Sequence, residues 1–379
     1  MSVEYGPGTL GTGSYLPEIV ASGEDAAQIV VDYSREELKK RDLTESRIDE
    51  ILEIRKRAVI EIGEQVGIKN RHYCSEREST STMGIEAGHK ALESAHVTAN
   101  EIKGVILSTG MGDFIGTSTA AIIAKELGVP EKVMTHDISA ACPGFAHAAY
   151  EACTNLTSPI GLDGPILVIA SEPISRGMHP AQKGTIPIFG DGAGAMIIGL
   201  IEIPSSKLRP WFQFGALAEF LNKLQIRVGG SVYPLTPKTP DKDKGIHMDN
   251  KFTFRMATTK MVEYGKDAIE EAQRRSIPRL KLAPHQANIL IIDEAQYELG
   301  FKDEDVIVNI SNVGNTGSAS IPIAIDQAIR SGELVEGDTV IGDTFGSGFL
   351  VASFMLHMRG LGDKWVHYPS EAMLPKTQE

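Results

Sequence analysis

The chain has 379 residues, 42% of them apolar, with 37 Lys+Arg against 50 Asp+Glu and a formal net charge of −13. That length and apolar fraction supply one large or two medium cores and exclude disorder as the main state. The acidity, without any basic run, excludes nucleic acid as a partner, because backbone-phosphate affinity comes mostly from Lys and Arg.

No stretch of about 18 apolar residues reads as a membrane span. Met1 to Val20 lacks the basic start and apolar block of a signal peptide, so a cytoplasmic protein is expected. Ser34 and Glu37 have capping-box spacing and open a charged helical pattern through Ile51, Ile54, Val59 and Ile62, an elaboration spanning about 33–66. A helix from Glu86 to Ser94 follows, then the apolar run Val105-Ile106-Leu107-Ser108 and a helix ending at Leu127-Gly128. A strand-like run, Val133 to Ser139, leads into Cys142-Pro143-Gly144 and a helical stretch from Phe145 to Leu156. Phe189-Gly190-Asp191-Gly192-Ala193-Gly194-Ala195 has the character of a glycine-rich turn feeding a buried strand.

Ile203-Pro204-Ser205-Ser206-Lys207 breaks the pattern and divides an N-terminal half, 1–205, from a C-terminal half, 206–379. The second half repeats the order of the first: a helix from Asp267 to Arg275, the segment Leu282-Ala283-Pro284-His285, a helix ending at Leu299-Gly300, and a run from Val306 to Ser311 leading into Gly314-Asn315-Thr316. Cys142 lies fourteen residues beyond Gly128, and Asn315 fifteen beyond Gly300. Phe345-Gly346-Ser347-Gly348-Phe349, followed by Leu350-Val351-Ala352, echoes the first glycine-rich turn. Alternating strand and helix signals in each half predict a duplicated α/β architecture with helices covering the sheets.

Three cysteines, Cys74, Cys142 and Cys153, have neither Cys-x-x-Cys spacing nor a nearby His cluster, so no disulfide framework or zinc site is expected. Most lone cysteines are small core residues. Cys142 differs because Pro143 and Gly144 place it at a predicted helix N-terminus, where the dipole and unpaired N–H groups favour the nucleophilic thiolate. His285 and Asn315 each have a bland alternative, as a structural imidazole and a turn residue. The repeat changes the odds, since the junction bearing Asn315 is the counterpart of the one bearing Cys142 and a pseudo-twofold axis would bring them together beside His285.

This combination resembles the β-ketoacyl-acyl-carrier-protein synthase III family of the thiolase-like superfamily from about Gly67 onward. The resemblance rests on Asp137-Ile138-Ser139-Ala140-Ala141-Cys142-Pro143-Gly144-Phe145, Lys183-Gly184-Thr185 with the first glycine-rich turn, Pro284-His285-Gln286-Ala287-Asn288, Gly314-Asn315-Thr316 and the second glycine-rich turn. It implies a five-layered α/β/α/β/α fold of two similar halves, a homodimer, and no cofactor beyond acyl-coenzyme A or acyl-carrier-protein thioester substrates. It also implies Cys142 as the acyl-accepting nucleophile, His285 and Asn315 as its catalytic partners, the backbone N–H groups of Cys142 and Ser347 as the oxyanion hole, and Lys183 and Phe349 as substrate-binding residues. The reaction implied is acyl transfer to Cys142, then decarboxylative Claisen condensation with malonyl-acyl-carrier protein.

Several positions depart from the family pattern. Glu61 and Gln65 stand where a tryptophan and an arginine sandwich an adenine, and Lys183 replaces a stacking arginine, keeping charge but no planar surface. Leu290 and Glu263 occupy positions where basic docking residues are expected, and Gly317 replaces a serine. Rival readings are a non-decarboxylative condensation of the hydroxymethylglutaryl-coenzyme A synthase or head-to-head type, which would use a glutamate base, and a specialised polyketide or lipid acyltransferase. In Gly110-Met111-Gly112-Asp113-Phe114-Ile115-Gly116, Gly116 aligns with that glutamate and Asp113 is the only acid nearby, which favours decarboxylation. A nucleotide-binding module is disfavoured, since Gly192-Ala193-Gly194 lacks the third glycine of a phosphate-cradling loop.

Overall fold

The computed structural model describes residues 4–362 and Trp365; residues 1–3 and the end of the C-terminal half, 363, 364 and 366–379, lie outside the described residues. In chain order the first half runs β1 (Glu4–Tyr15), β2 (Ile19–Ser22), α1 (Gly23–Lys39), α2 (Glu45–Gln65), β3 (Asn70–Tyr73), α3 (Thr80–Ala95), β4 (Gly104–Ser108), α4 (Thr119–Glu126), β5 (Met134–Ile138), α5 (Gly144–Thr157), β6 (Ile166–Glu172) and β7 (Gly192–Ile203). Then come β8 (Trp211–Ala216), β9 (Leu224–Ile226), β10 (Ile246–Met248), α6 (Asn250–Arg275), β11 (Leu280–Pro284), α7 (Ile289–Leu299), the single turn α8 (Ile310–Val313), α9 (Ser320–Ser331), β12 (Thr339–Gly346) and β13 (Leu350–His357).

The two large sheets have matching orders, β1-β7-β6-β4-β5 and β8-β13-β12-β11. In each, the first pairings are antiparallel and the inner helix-linked strands are parallel. The second sheet lacks a full counterpart of β5. The predicted run Val306 to Ser311 forms only an isolated bridge, Val306 to Leu282. The reason is local: the side-chain oxygen of buried Gln286 accepts the Asn309 and Ile310 N–H groups, at 3.0 and 3.2 Å, and starts α8 in place of a strand.

Burial periodicity explains the layers. Along β6, Leu167 and Ile169 face a core shared with Met83, Ala87 and Ile123 of α3 and α4, while Val168 and Ala170 face the opposite side. That opposite side holds α5 and α9, whose Phe145, Ala149, Ile321 and Ile325 pack between both sheets against Val340, Ala352 and Phe354 of the second. Ala268 and Ala272 of α6 cover the far face at Ile341 and Met355. The order is therefore helices, sheet, α5 with α9, sheet, helices, which is the five-layered arrangement implied by the resemblance.

The elaboration is a helical hairpin that begins earlier than predicted, at Gly23. Ser34 is buried within α1 and caps nothing; the capping box is Ser22 with Asp25. In α2, Ile54 is exposed, and Ile48, Leu52 and Val59 carry the buried face. No helix among the described residues is long and apolar enough to cross a membrane.

One polar joint ties α9 to the opposite sheet. Asp326, 1% exposed, accepts from Thr12 Oγ1 at 2.8 Å and Ser14 Oγ at 2.6 Å on β1, and from Arg330 Nε at 3.0 Å. Truncation would leave the Thr12 and Ser14 hydroxyls without their acceptor, while half-exposed Arg330 keeps the Thr12 carbonyl and water. Asp326→Ala is expected to lower unfolding free energy by about 2 kcal/mol, mostly from the unpaired hydroxyls. Urea denaturation reads this directly, and a loss below about 1 kcal/mol would mean the joint is solvated rather than structural.

Candidate active site

The site forms where strands end. β5, β6, β11 and β12 deliver Cys142, Glu172, His285 and Ser347 just beyond or at their C-terminal ends, the side of a parallel sheet that opens to ligands. Cys142, Glu172, His285, Asn315 and Ser347 all line one cavity of about 620 Å³.

Cys142 follows β5 on a strained turn. Ala141 has φ 49°, left-handed for a residue with a Cβ, and Pro143 caps α5. Two glycines permit the close packing around it. A Cβ on Gly144 would lie 2.0 Å from Ser108 Oγ, and one on Gly346 would lie 2.7 Å from the Cys142 backbone nitrogen. The end of β12 therefore runs directly against the backbone of Cys142.

His285 is 1% exposed; its ring Nδ1 lies 2.6 Å from Ser320 Oγ, and its backbone N–H donates to the Asp343 carbonyl at 2.8 Å. Asn315 is anchored by its backbone, donating to Ile188 O and accepting from Gly190 N–H, both at 3.0 Å, in a parallel bridge with Phe189. Its side-chain oxygen accepts the Gly317 N–H at 2.9 Å, leaving the NH2 group to offer elsewhere. Gly317 has φ 59°, and a Cβ there would meet Ile174 at 2.9 Å, so the residue at this departure from the family pattern is set by backbone geometry.

Electrostatics differ from the sequence expectation at Cys142. Burial, reinforced by the negative charge of Glu172, pushes the thiol up to about 12, so the resting group is a thiol rather than the thiolate expected from the helix terminus alone. Burial also pushes His285 down to about 3, which keeps the imidazole neutral. Glu172, 4% exposed at the end of β6, is raised by burial to about 7 despite accepting hydrogen bonds from Ser318 and Gly110.

The remaining candidates separate. Phe349 is fully buried and does not reach the cavity; it stacks behind Phe345, which does, with ring centroids 6.3 Å apart. Lys183 is not on the cavity wall either; it is half-buried, its ammonium disfavoured by burial and then by the charge of Arg55. Gln65 lines the cavity and Glu61 does not. Asp113 is spent on capping α3, accepting from Ser81 N–H and Oγ. Glu263 pairs with Lys260, and Leu290 is half-exposed. Sequence reasoning missed Glu172 and Ser320. An acid closing the otherwise apolar run Ile166 to Ala170 was a readable sign of the first, whereas nothing local marks the second. Among the described residues no group of three or more His, Cys, Asp or Glu is placed to hold a metal ion.

Duplicated five-layered architecture around such a cavity defines the thiolase-like class. Residues 136–208 match the family model for 3-oxoacyl-[acyl-carrier-protein] synthase III, and 280–358 match its C-terminal model. The chain is 32% identical to the β-ketoacyl-[acyl-carrier-protein] synthase III of Neisseria meningitidis over 91% of its own length and 97% of the relative's. Among solved structures, 3-oxoacyl-(acyl carrier protein) synthase III of Pseudomonas aeruginosa aligns with a TM-score of 0.74 at 26% identity, covering 94% of this chain and 99% of that one. A priming β-ketosynthase of a polyketide pathway aligns with a TM-score of 0.76 at 29% identity, covering 94% and 97%. The chain belongs to the β-ketoacyl-acyl-carrier-protein synthase III family and is a condensing acyltransferase of that type, a reading favoured over the non-decarboxylative alternatives.

The raised thiol has a direct readout. Alkylation of the Cys142 peptide by iodoacetamide, followed by mass spectrometry, is expected to speed up about tenfold per pH unit between roughly pH 7 and 10. A plateau by about pH 9 would show an ordinary or activated thiol.

Proposed function

We propose that Cys142 takes an acyl group from an acyl thioester and passes it to the enolate formed from malonyl-acyl-carrier protein. The observation that supports this reading is that a thiol from the first half and an imidazole and a carboxamide from the second all line one cavity. In the first step the sulfur bonds the acyl carbon, the donor's C–S bond breaks, and the Cys142 proton ends on the departing thiol. One thioester replaces another, so little bond energy changes. The N–H groups of Cys142 and Ser347 would hold the oxyanion, and the close approach of Gly346 to Cys142 supports that pairing.

In the second step the malonyl carboxylate leaves as CO2, and its electron pair forms the enolate. A neutral His285 can give Nε2–H to that oxygen when Ser320 O–H donates to Nδ1, and Asn315 can give its NH2 group. The enolate carbon then attacks the acyl-cysteine, forming the carbon–carbon bond and breaking the C–S bond, so that the Cys142 thiolate leaves and takes up a proton from water as the β-ketoacyl product is released. Depressed basicity suits this task, because an imidazole that stays neutral donates without competing for a proton.

The same reading includes acyl-carrier protein as the partner, a cytoplasmic enzyme and a homodimer, each chain divided into halves 1–205 and 206–379. The connection between β7, ending at Ile203, and β8, starting at Trp211, supports that division.

Cys142→Ala is expected to abolish acyl transfer from every donor. His285→Ala and Asn315→Ala should still accept an acyl group, seen as an adduct by intact mass, yet lose condensation by about a hundred- to a thousandfold each. Equal loss of acylation in all three variants would contradict the division of roles.

A further inference from the structure

Glu172 is the one acid among the described residues that line the cavity. Its two oxygens accept the Gly110 N–H at 3.3 and 3.0 Å, on the loop after β4, and Oε1 accepts the Ser318 O–H at 2.7 Å. Ser318 is itself 1% exposed and sits between Asn315, which bonds Gly317 N–H, and Ser320, which bonds His285. A Cβ on Gly317 would lie 3.4 Å from Glu172 Cγ, so carboxylate and turn are also in packing contact. A buried carboxyl is costly, and an apolar side chain could fill the same space, so the charge calls for an account.

We infer that Glu172 is a positioning residue for the condensation step, clamping the turn from Asn315 to Ser320 through Ser318 so that both enolate donors stay aimed at the sulfur of Cys142. The inference rests on the donor roles proposed above for His285 and Asn315. A charge-assisted bond is shorter and about twice as strong as a neutral one, which suits a strut that must hold one half of the fold against the other. The strut has an electrostatic consequence as well. The titratable groups that share the cavity wall with Glu172 are Cys142, His285 and the exposed Lys251, and the carboxylate's charge raises the thiol. Positioning thus comes at the expense of resting nucleophilicity.

Two variants of the full chain separate clamp from charge. Condensation is measured in a single turnover from pre-acylated enzyme with malonyl-acyl-carrier protein, self-acylation by intact mass, and Cys142 alkylation by iodoacetamide at about pH 9, well above the value of about 7 at which Glu172 titrates. Glu172→Gln and Ser318→Ala are both expected to slow condensation by about ten- to a hundredfold while self-acylation stays within about threefold. Glu172→Gln should also speed alkylation, because the charge is gone, whereas Ser318→Ala should not. If Glu172→Gln fails to fold in a thermal melt, Ser318→Ala decides alone. Unchanged condensation in Ser318→Ala, with Asn315→Ala impaired, overturns the clamp. Parental condensation in Asn315→Ala instead overturns the donor reading beneath it. Equal loss of acylation and condensation in Ser318→Ala would mean general damage and also overturns the inference.

Discussion

The structure depends on a seam between two copies of one α/β unit, and its decisive piece is a pair of backbone hydrogen bonds. Asn315 donates to Ile188 and accepts from Gly190, so the asparagine turn of the second half is zipped onto the glycine-rich turn of the first. Space for that zipper is made at Gly190, where a Cβ would meet the Val313 carbonyl at 2.7 Å, and at Gly314, which has φ 73°. Buried Arg71 fastens the same segment, donating to the Pro187 carbonyl at 2.8 Å. With the seam closed, strand ends from both sheets open into one cavity; without it, each half would present an incomplete set of groups.

Desolvation then sets the chemistry. The enclosure that pushes Cys142 up also pushes His285 down, so thiol and imidazole rest together as neutral partners rather than as an ion pair. A neutral site of this kind favours chemistry in which charge develops on substrate oxygen and is met by fixed N–H donors. Helix α5 begins two residues after Cys142, but any favourable field from its N-terminus is outweighed by lost hydration and by Glu172.

The helical hairpin of α1 and α2 shows how an added segment can alter such a cavity without touching its chemistry. Ile62, Gln65 and Val66 come from the end of α2 and its cap, and they line the wall with mainly apolar surface. The hairpin is fixed by its own core of Val31, Leu38, Ile48 and Leu52, and by Ala26, Ala27 and Val59 packing on Ile186. Its second helix carries Glu61 and Gln65, and also Arg55; burial, and then the Arg55 charge, disfavour the Lys183 ammonium.

Much was legible in the chain itself. The duplicated order of helices and strands and the turns bearing Cys142, His285 and Asn315 follow from periodicity, glycine and proline, which act over a few residues. Local rules misled where a long-range partner intervened. Ser34 has the spacing of a cap but is absorbed into a helix that starts earlier, Val306 to Ser311 loses its strand to the Gln286 side chain, and Phe349 is held in an aromatic cluster behind the wall it was expected to form. What the sequence alone determined was which residue types stand at which strand ends. Only the tertiary structure decided their company, placing Glu172 against Ser318 from 146 positions away and Ser320 against His285, because burial and hydrogen bonding across the seam are properties of space that no local pattern encodes.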